Sequence, residues 1–139
     1  MKMSATIRNR LEQNDIRVQT SGNSKIITVP SRPDGYGSSV SGGEFLLLAL
    51  ATCICNDIYR EAGKRDIAVS EVEVNASCEF DGEGEPGTNF RYKVFVNSKA
   101  SDEEIAELIR HTDQIAEIHN TLRAGVEVIL ETVKEEAKV

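Results

Sequence analysis

The sequence lacks the features that mark several specialised classes of protein. It has no tryptophan and only 3 prolines. Basic residues are the minority, 16 against 23 acidic ones, and the resulting charge of -7 repels phosphate and anionic lipid, so we expect neither nucleic acid nor a membrane as partner. The longest uninterrupted apolar run, residues 45–51, is too short to span a bilayer, and the polar start shows no apolar signal segment. We therefore predict a cytoplasmic protein.

Cysteine and histidine are also scarce. The 3 cysteines, Cys53, Cys55 and Cys78, form neither an even disulfide framework nor a CxxC metal-binding pattern. The 2 histidines, His111 and His119, have no cysteine or carboxylate at a recognisable ligand spacing, and we expect both at the surface near helix ends. The sequence thus predicts a reducing compartment, no bound metal and no cofactor.

The length and composition fit one soluble globular domain that covers residues 1–139. The chain is 40% hydrophobic and 28% charged, which is close to the average of globular domains. Its hydrophobic periodicity switches between the spacing of strands and the spacing of helices, which predicts an α+β fold. The predicted strands cover residues 6–11, 16–20, 25–29, 72–80, 90–97 and 125–133.

Two capping boxes predict where the main helices begin. The first box, residues 41–44, stands directly before apolar sequence and predicts a helix over residues 43–62. The second box, residues 101–104, starts an amphipathic helix. This helix is expected to break near residues 111–113, before a short helical piece around residues 115–118.

The first predicted helix is apolar on all sides. Between residues 45 and 55 only Thr52 interrupts the apolar sequence, and Gly63 is expected to end the helix. Such a helix must be enclosed on every side, which a chain of this length cannot readily do alone. We therefore expect a two-fold homodimer in which a second copy supplies part of the enclosure.

Cys53 is the candidate nucleophile on this helix. It lies too far from the helix N-terminus for the helix dipole to lower the pKa of its thiol, so its reactivity would need other groups. The competing interpretation is a small buried hydrophobe that fills the core. Cys55 lies on another face of the helix and cannot pair with Cys53, and Cys78 is expected in the core.

Three sequence blocks together resemble one known family. They are Gly42 to Cys53 (GGEFLLLALATC), Ala62 to Ile67 (AGKRDI) and Ile118 to Leu122 (IHNTL). In these blocks the chain resembles the OsmC/Ohr family, named for osmotically inducible protein C and organic hydroperoxide resistance protein, as a divergent member. The resemblance implies antiparallel sheets wrapped around long central helices in an intertwined homodimer.

The resemblance also implies an activity in the response to oxidative stress. In active family members a cysteine attacks an organic hydroperoxide or hydrogen peroxide in a peroxiredoxin-like reaction and becomes a sulfenic acid. A second cysteine resolves this acid as a disulfide, which an external dithiol reopens. Cys53 falls on the attacking position. The resolving position falls on Ala116, with Glu117 where a proline would stand, so no internal disulfide is expected.

The family residues that activate the thiol match less directly. The family glutamate at the helix start falls on Gly43. Glu44, one position along, is the remaining candidate, and the capping box already accounts for it. The family arginine has no clear counterpart, and Arg17 and Lys25 are the basic residues near the expected turn. A lysine there would supply charge but not the bidentate fork of an arginine.

Two functions remain open on the sequence. The first is a one-cysteine, thiol-dependent reductase of hydroperoxides that acts through Cys53 and is restored by an external thiol reductant. The second is a non-catalytic dimeric protein of the same fold that binds a small apolar ligand, with Cys53 as core or pocket lining. The residues at positions 43 and 116 favour the second function, and the match at Cys53 favours the first.

Overall fold

The computed structural model describes residues 1–131 and confirms the predicted α+β fold, with antiparallel sheets and helices. Contacts divide the chain into two compact units, which begin at Met1 and at Ala49. The single domain and the intertwined homodimer stay predictions. In chain order the elements are β1 (Met3–Arg10), β2 (Gln13–Thr20), β3 (Asn23–Ile27), α1 (Gly42–Lys64), β4 (Val69–Glu79), β5 (Thr88–Ser98), α2 (Asp102–Ile115) and α3 (Glu117–Ala124).

The first unit contains an antiparallel meander of three strands. β1 pairs with β2, with Met3 opposite Thr20, and β2 pairs with β3. The tight turn between β2 and β3 needs a left-handed backbone, which Ser21 (φ 48°) and Gly22 (φ 88°) provide. The three predicted strands are therefore confirmed, although β1 begins earlier, at Met3, and β3 ends earlier, at Ile27.

α1 begins at the predicted capping box and ends later than predicted. The Glu44 carboxylate accepts a hydrogen bond from the backbone N–H of Ser41 (2.9 Å), and the backbone N–H of Glu44 donates to Ser41 Oγ (3.1 Å). At the other end Gly63 stays helical, and the chain turns at Asp66, whose φ is 54°. The backbone N–H of Ile67 then donates to a carbonyl of the last helical turn (2.9 Å), which closes the helix without a glycine.

The core of the second unit forms where one face of α1 packs on α2 and on the β4–β5 hairpin. Ile54, Ile58 and Ala62 recur every four residues along α1 and are at most 2% exposed. Leu108 of α2 and Ala116 are fully buried with them. The alternation that predicted β4 and β5 places one face of the hairpin on this cluster. The strand residues that pack there are Val69, Val72, Val74, Tyr92, Val94 and Val96.

α1 is not enclosed on all sides within the described part of one chain. Leu48, for example, is 57% exposed. With 23 residues, α1 is long and apolar enough to cross a membrane by length and composition alone, which the shorter apolar run over residues 45–51 did not indicate. The core helix of a soluble protein passes the same test. Because α1 also carries the ion-paired residues Asp57, Arg60 and Glu61, we interpret it as a core helix with an uncovered apolar side.

The C-terminal part of the described chain differs from the prediction. α2 runs unbroken through residues 111–113, because Leu108 and Thr112 are fully buried against the rest of the second unit. The Thr112 hydroxyl donates to the Leu108 carbonyl (2.7 Å) and needs no partner outside the helix. The break falls instead at Ala116, where ψ is 111°. The prediction of a last strand over residues 125–133 is wrong for residues 125–131, which do not pair with any strand in the described part of the chain. Residues 132 and 133 lie outside the described residues.

Candidate active site

The Cys53 thiol lies against the N-terminus of α3. Its sulfur is 3.8 Å from Asp57 Oδ2, one helical turn along α1, and 4.0 Å from Glu117 Oε2. The backbone N–H of Ile118, in the first turn of α3, also faces the sulfur closely enough to stabilise its thiolate form. The side chain is half-buried, so residues 1–131 of one chain do not give the full enclosure expected from the sequence. The structure thus brings two carboxylates and one backbone donor to a single thiol.

The pKa of the Cys53 thiol is raised above its ordinary value. Partial burial is the largest cause, because a less polar environment disfavours the charged thiolate. The backbone N–H of Ile118 lowers the pKa, but the negative charges of Asp57 and Glu117 raise it further. The thiol is therefore protonated at neutral pH and can donate its one hydrogen bond to either carboxylate.

Asp57 is held in place by an arginine on the same helix. It is 6% exposed, and its Oδ1 accepts a hydrogen bond from Arg60 Nη1 at 2.9 Å. Arg60 Nε donates to Glu61 Oε2, also at 2.9 Å, so two acidic residues fix the guanidinium. The ion pair compensates the buried charge of Asp57 and leaves Oδ2 directed at the thiol. Arg60 therefore fixes the carboxylate that faces Cys53.

The three secondary candidates from the sequence all lie in the first unit. Glu44 is exposed, and hydrogen bonds from the backbone and hydroxyl of Ser41 lower the pKa of its carboxyl. Lys25 lies opposite Val18 and is exposed. Arg17 precedes Val18 on β2, and because side chains alternate along a strand, Arg17 and Lys25 point to opposite faces of the sheet. The structure does not bring these two together, and any catalytic part for the three residues stays a prediction.

Sequence reasoning missed the groups that contact the thiol. Asp57 was detectable, because a spacing of four residues on a helix places it beside Cys53. The sequence marks Glu117 only as the residue in place of a family proline, and its approach to Cys53 from 64 positions away depends on the tertiary structure. No local pattern identifies the backbone N–H of Ile118 as a donor to the sulfur.

The same three side chains are able to hold a metal ion. The sulfur of Cys53 and one oxygen each from Asp57 and Glu117 lie within 4.8 Å of one another. A thiolate with two carboxylates is a donor set that suits a borderline cation such as Zn²⁺. Sequence spacing does not reveal the group, because one ligand comes from a distant helix. The absence of a metal, expected from the sequence, stays a prediction.

The two histidines occupy different environments. His111 is half-buried, and its Nε2 lies 3.0 Å from Glu61 Oε1, which joins α2 to α1. His119 is only 4% exposed, so the prediction that it lies at the surface is wrong. The reason is that α3 packs the His119 ring edge-on against Tyr92, with ring centroids 4.7 Å apart.

The fold and the thiol site together define an α+β protein whose cysteine lies on a long apolar helix and faces the start of a later helix. The sequence matches the family model described as OsmC-like protein over residues 35–131, which is more than half of the chain. The chain therefore belongs to the OsmC-like family, and the resemblance seen in the sequence is confirmed. None of the curated proteins compared with the chain matches it.

Solved structures agree with this assignment. The chain is similar to an OsmC-like protein from Mycoplasma pneumoniae (TM-score 0.61, 19% identity, 90% of this chain and 91% of that one). It is also similar to an organic hydroperoxide resistance protein from Elizabethkingia anophelis (TM-score 0.61, 13% identity, 91% of each chain). A third similar structure is the organic hydroperoxide resistance protein OhrB of Bacillus subtilis (TM-score 0.50, 20% identity, 92% of this chain and 96% of that one). At these identities the likeness shows the fold alone.

Proposed function

We propose that this protein reduces hydroperoxides through Cys53 as its single reactive thiol and that an external thiol restores it. The observation that carries the proposal is the position of the Cys53 sulfur between two carboxylates and a backbone N–H donor. Membership of the OsmC-like family supports the same chemistry, and two of the similar structures bear the name organic hydroperoxide resistance protein.

Either of the two carboxylates beside Cys53 can accept the proton of the thiol. Asp57 Oδ2 or Glu117 Oε2 accepts this proton while the sulfur attacks the terminal oxygen of the hydroperoxide. The O–O bond breaks, the sulfur keeps the terminal oxygen as a sulfenic acid, and the departing alkoxide takes up the proton to become an alcohol. The sulfur is oxidised as the peroxide is reduced, so electrons and atoms balance.

Regeneration needs a thiol from outside the protein. The family's resolving position holds Ala116, which is fully buried, and Cys55 lies on a different face of α1 from Cys53. An external thiol therefore attacks the sulfenic sulfur, releases water and forms a mixed disulfide. A second thiol then frees Cys53 and leaves with the first as an external disulfide. No cofactor takes part in this cycle.

Intact-mass spectrometry tests the proposal most directly. After brief exposure to cumene hydroperoxide in the presence of dimedone, which traps sulfenic acids, we expect one adduct per chain, located on Cys53. The Cys53→Ala variant should form no adduct and show no peroxidase turnover, whereas Cys55→Ala and Cys78→Ala should keep both. Turnover that persists in a folded Cys53→Ala variant would refute the reductase function.

We further propose that the working form is a cytoplasmic homodimer. The uncovered apolar side of α1, including Leu48 at 57% exposure, supports a second copy as its cover. Phe95 on β5 is equally exposed and adds to the apolar surface of the second unit. The net charge of -7 supports an aqueous location without nucleic acid or anionic membrane as partner.

The raised pKa of Cys53 favours a second candidate function, a non-catalytic protein of the same fold that binds a small ligand. Two carboxylates beside a thiol reduce the thiolate fraction on which peroxide reactivity depends. Gly43 and Ala116 also stand where the family has its activating glutamate and resolving cysteine. In this function Cys53 fills the core. A folded wild-type protein that forms no dimedone adduct would decide in its favour.

A further inference from the structure

A cavity outside the contacts of Cys53 lies between α1, β5 and α3. Its volume is about 150 Å³, and its lining consists of Leu50, Phe90, Arg91, Tyr92, His119, Leu122 and Arg123. An apolar cavity of roughly this volume, ~150 Å³, is known to bind benzene in another protein. The cavity can therefore take one group of about the size of a benzene ring.

His119 is a buried polar side chain that lacks a hydrogen-bond partner at this cavity. It is 4% exposed, and neither Nδ1 nor Nε2 has a partner among the described residues. Buried polar groups in native proteins are almost always hydrogen-bonded, because leaving one unpaired destabilises the fold. The ring lines the cavity, but both nitrogens are covered in this conformation, so the ring has to turn about its Cβ–Cγ bond to present one of them to a ligand.

The polar groups next to His119 are already paired with one another. The Tyr92 hydroxyl donates to Asp113 Oδ1, and Arg123 Nη2 donates to the same carboxylate oxygen at 2.7 Å. Arg123 Nη1 donates to the Asp113 carbonyl (3.3 Å) and to Asn120 Oδ1 (3.2 Å). The contact between the rings of His119 and Tyr92 is edge-on stacking. These neighbours leave the imidazole nitrogens to a partner from outside.

The two ring nitrogens of His119 are a potential hydrogen-bond donor and a potential acceptor. A neutral imidazole presents one N–H donor and one acceptor nitrogen. A hydroxyl group both donates and accepts, so it can pair with His119 whichever nitrogen carries the proton.

We propose that this cavity binds a small uncharged aromatic compound with one hydroxyl group, such as phenol, and that the hydroxyl hydrogen-bonds to His119. Leu50, Phe90 and Leu122 provide apolar walls for the ring. The site goes beyond the proposed reductase function. It would be the ligand site of the second candidate function, the non-catalytic binding protein, but its test does not depend on Cys53 chemistry.

Calorimetric titration of the full chain with phenol and with toluene tests the site. Toluene has nearly the same shape but offers no hydroxyl, so we expect phenol to bind about tenfold more tightly, the effect of one hydrogen bond. The His119→Phe variant should bind the two compounds equally, while His111→Phe, the matched control at the other histidine, should keep the preference. Cys53→Ala should keep it as well, which separates this result from any loss of peroxidase activity.

Equal binding of phenol and toluene by the wild-type protein would overturn the proposal, and so would an unchanged preference in folded His119→Phe. If His119→Phe does not fold, nitrogen NMR of the wild-type protein decides. Phenol should then shift the imidazole ¹⁵N resonances of His119 more than toluene does, because only phenol changes their hydrogen bonding. The absence of that difference would overturn the proposal.

Discussion

Glu117 affects the Cys53 thiol in two opposite ways. Its negative charge, 4.0 Å from the sulfur, raises the pKa of the thiol and lowers the thiolate fraction at neutral pH. In the proposed reductase the same carboxylate would accept the thiol proton during attack on a peroxide. The net effect of Glu117 on the rate of peroxide reduction depends on which is larger, the slowing caused by a smaller thiolate fraction or the acceleration provided by a base.

Replacing Glu117 with glutamine separates these two effects. Removal of the charge should lower the pKa of Cys53, measured by the ultraviolet absorbance of the thiolate in a background without Cys55 and Cys78. In the proposed reductase, the rise of the peroxidase rate with pH should then begin at lower pH than in the wild-type protein. Glu103→Gln, an exposed position on α2, is the control. An unchanged pKa in Glu117→Gln would contradict the electrostatic role of Glu117.

The site was only partly predictable at this scale. Cys53 stood out because its helix is distinctive, and Asp57 follows from helical spacing. Glu117 and His119 could not be placed, because their environments depend on how α3 packs against α1 and β5. The prediction that both histidines lie at the surface rested on their positions near helix ends, which carry no information about what covers them.

At the scale of elements, Glu61 links α1 and α2 as a buried ion-paired acid. It is 3% exposed and contacts Arg60 Nε and Lys64 Nζ at 2.9 Å and His111 Nε2 at 3.0 Å. Hydrogen bonds, first of all from Arg60, lower its pKa from an ordinary 4.5 to about 2. A depressed carboxyl pKa contributes stability that is complete above the unfolded value and lost as the pH falls through the folded value.

Thermal unfolding as a function of pH should show this contribution. As the pH falls from 4.5 to about 2, the melting temperature of the wild-type protein should decrease because Glu61 becomes protonated. Glu61→Gln should be less stable than wild type at neutral pH and should lose less over that interval, because it has no carboxylate to protonate. Glu103→Gln should follow the wild-type profile. A Glu61→Gln profile parallel to wild type would argue against the ion-pair cluster.

Two glycines near helix ends offer a matched test of backbone conformation. Gly63 is helical, whereas Gly125 is left-handed with φ 66°, and an added Cβ would meet no atom within 4 Å at either position. Gly63→Ala should raise the free energy of unfolding by about 0.5–1 kcal/mol. Gly125→Ala should lower it by about 1–2 kcal/mol, the cost of a left-handed Cβ. Urea denaturation measures both, and a decrease for Gly63→Ala would place the end of α1 before Gly63.

Local patterns predicted the elements better than their ends. The boxes at residues 41–44 and 101–104 marked two helix starts correctly, because capping is a local hydrogen-bonding arrangement. The end of α1 was placed too early, because a glycine is permitted but not required at a helix end. The break expected at residues 111–113 was wrong, since the core around Leu108 and Thr112 overrides the weak helix propensity of that stretch.

For the whole molecule, the central prediction is the association of two copies. Sedimentation equilibrium should give a mass of twice 15.3 kDa for the wild-type chain. Leu48→Glu places a charge on the uncovered side of α1 and should yield monomers, because burying an unpaired charge opposes association. Leu11→Glu changes an equally exposed leucine, at 58% against 57%, and should stay dimeric. A monomeric wild-type protein would contradict the proposed homodimer.

Ala116 also determines how long the proposed reductase survives its own substrate. With no thiol at this position to capture it, the sulfenic acid at Cys53 persists until an external thiol arrives. A second peroxide can reach it in that interval and oxidise it to a sulfinic acid, a step that ordinary thiols do not reverse. The protein then suits a low, steady supply of peroxide in a thiol-rich cell. A burst would inactivate it in proportion to the dose, so that the surviving fraction records the cell's past exposure.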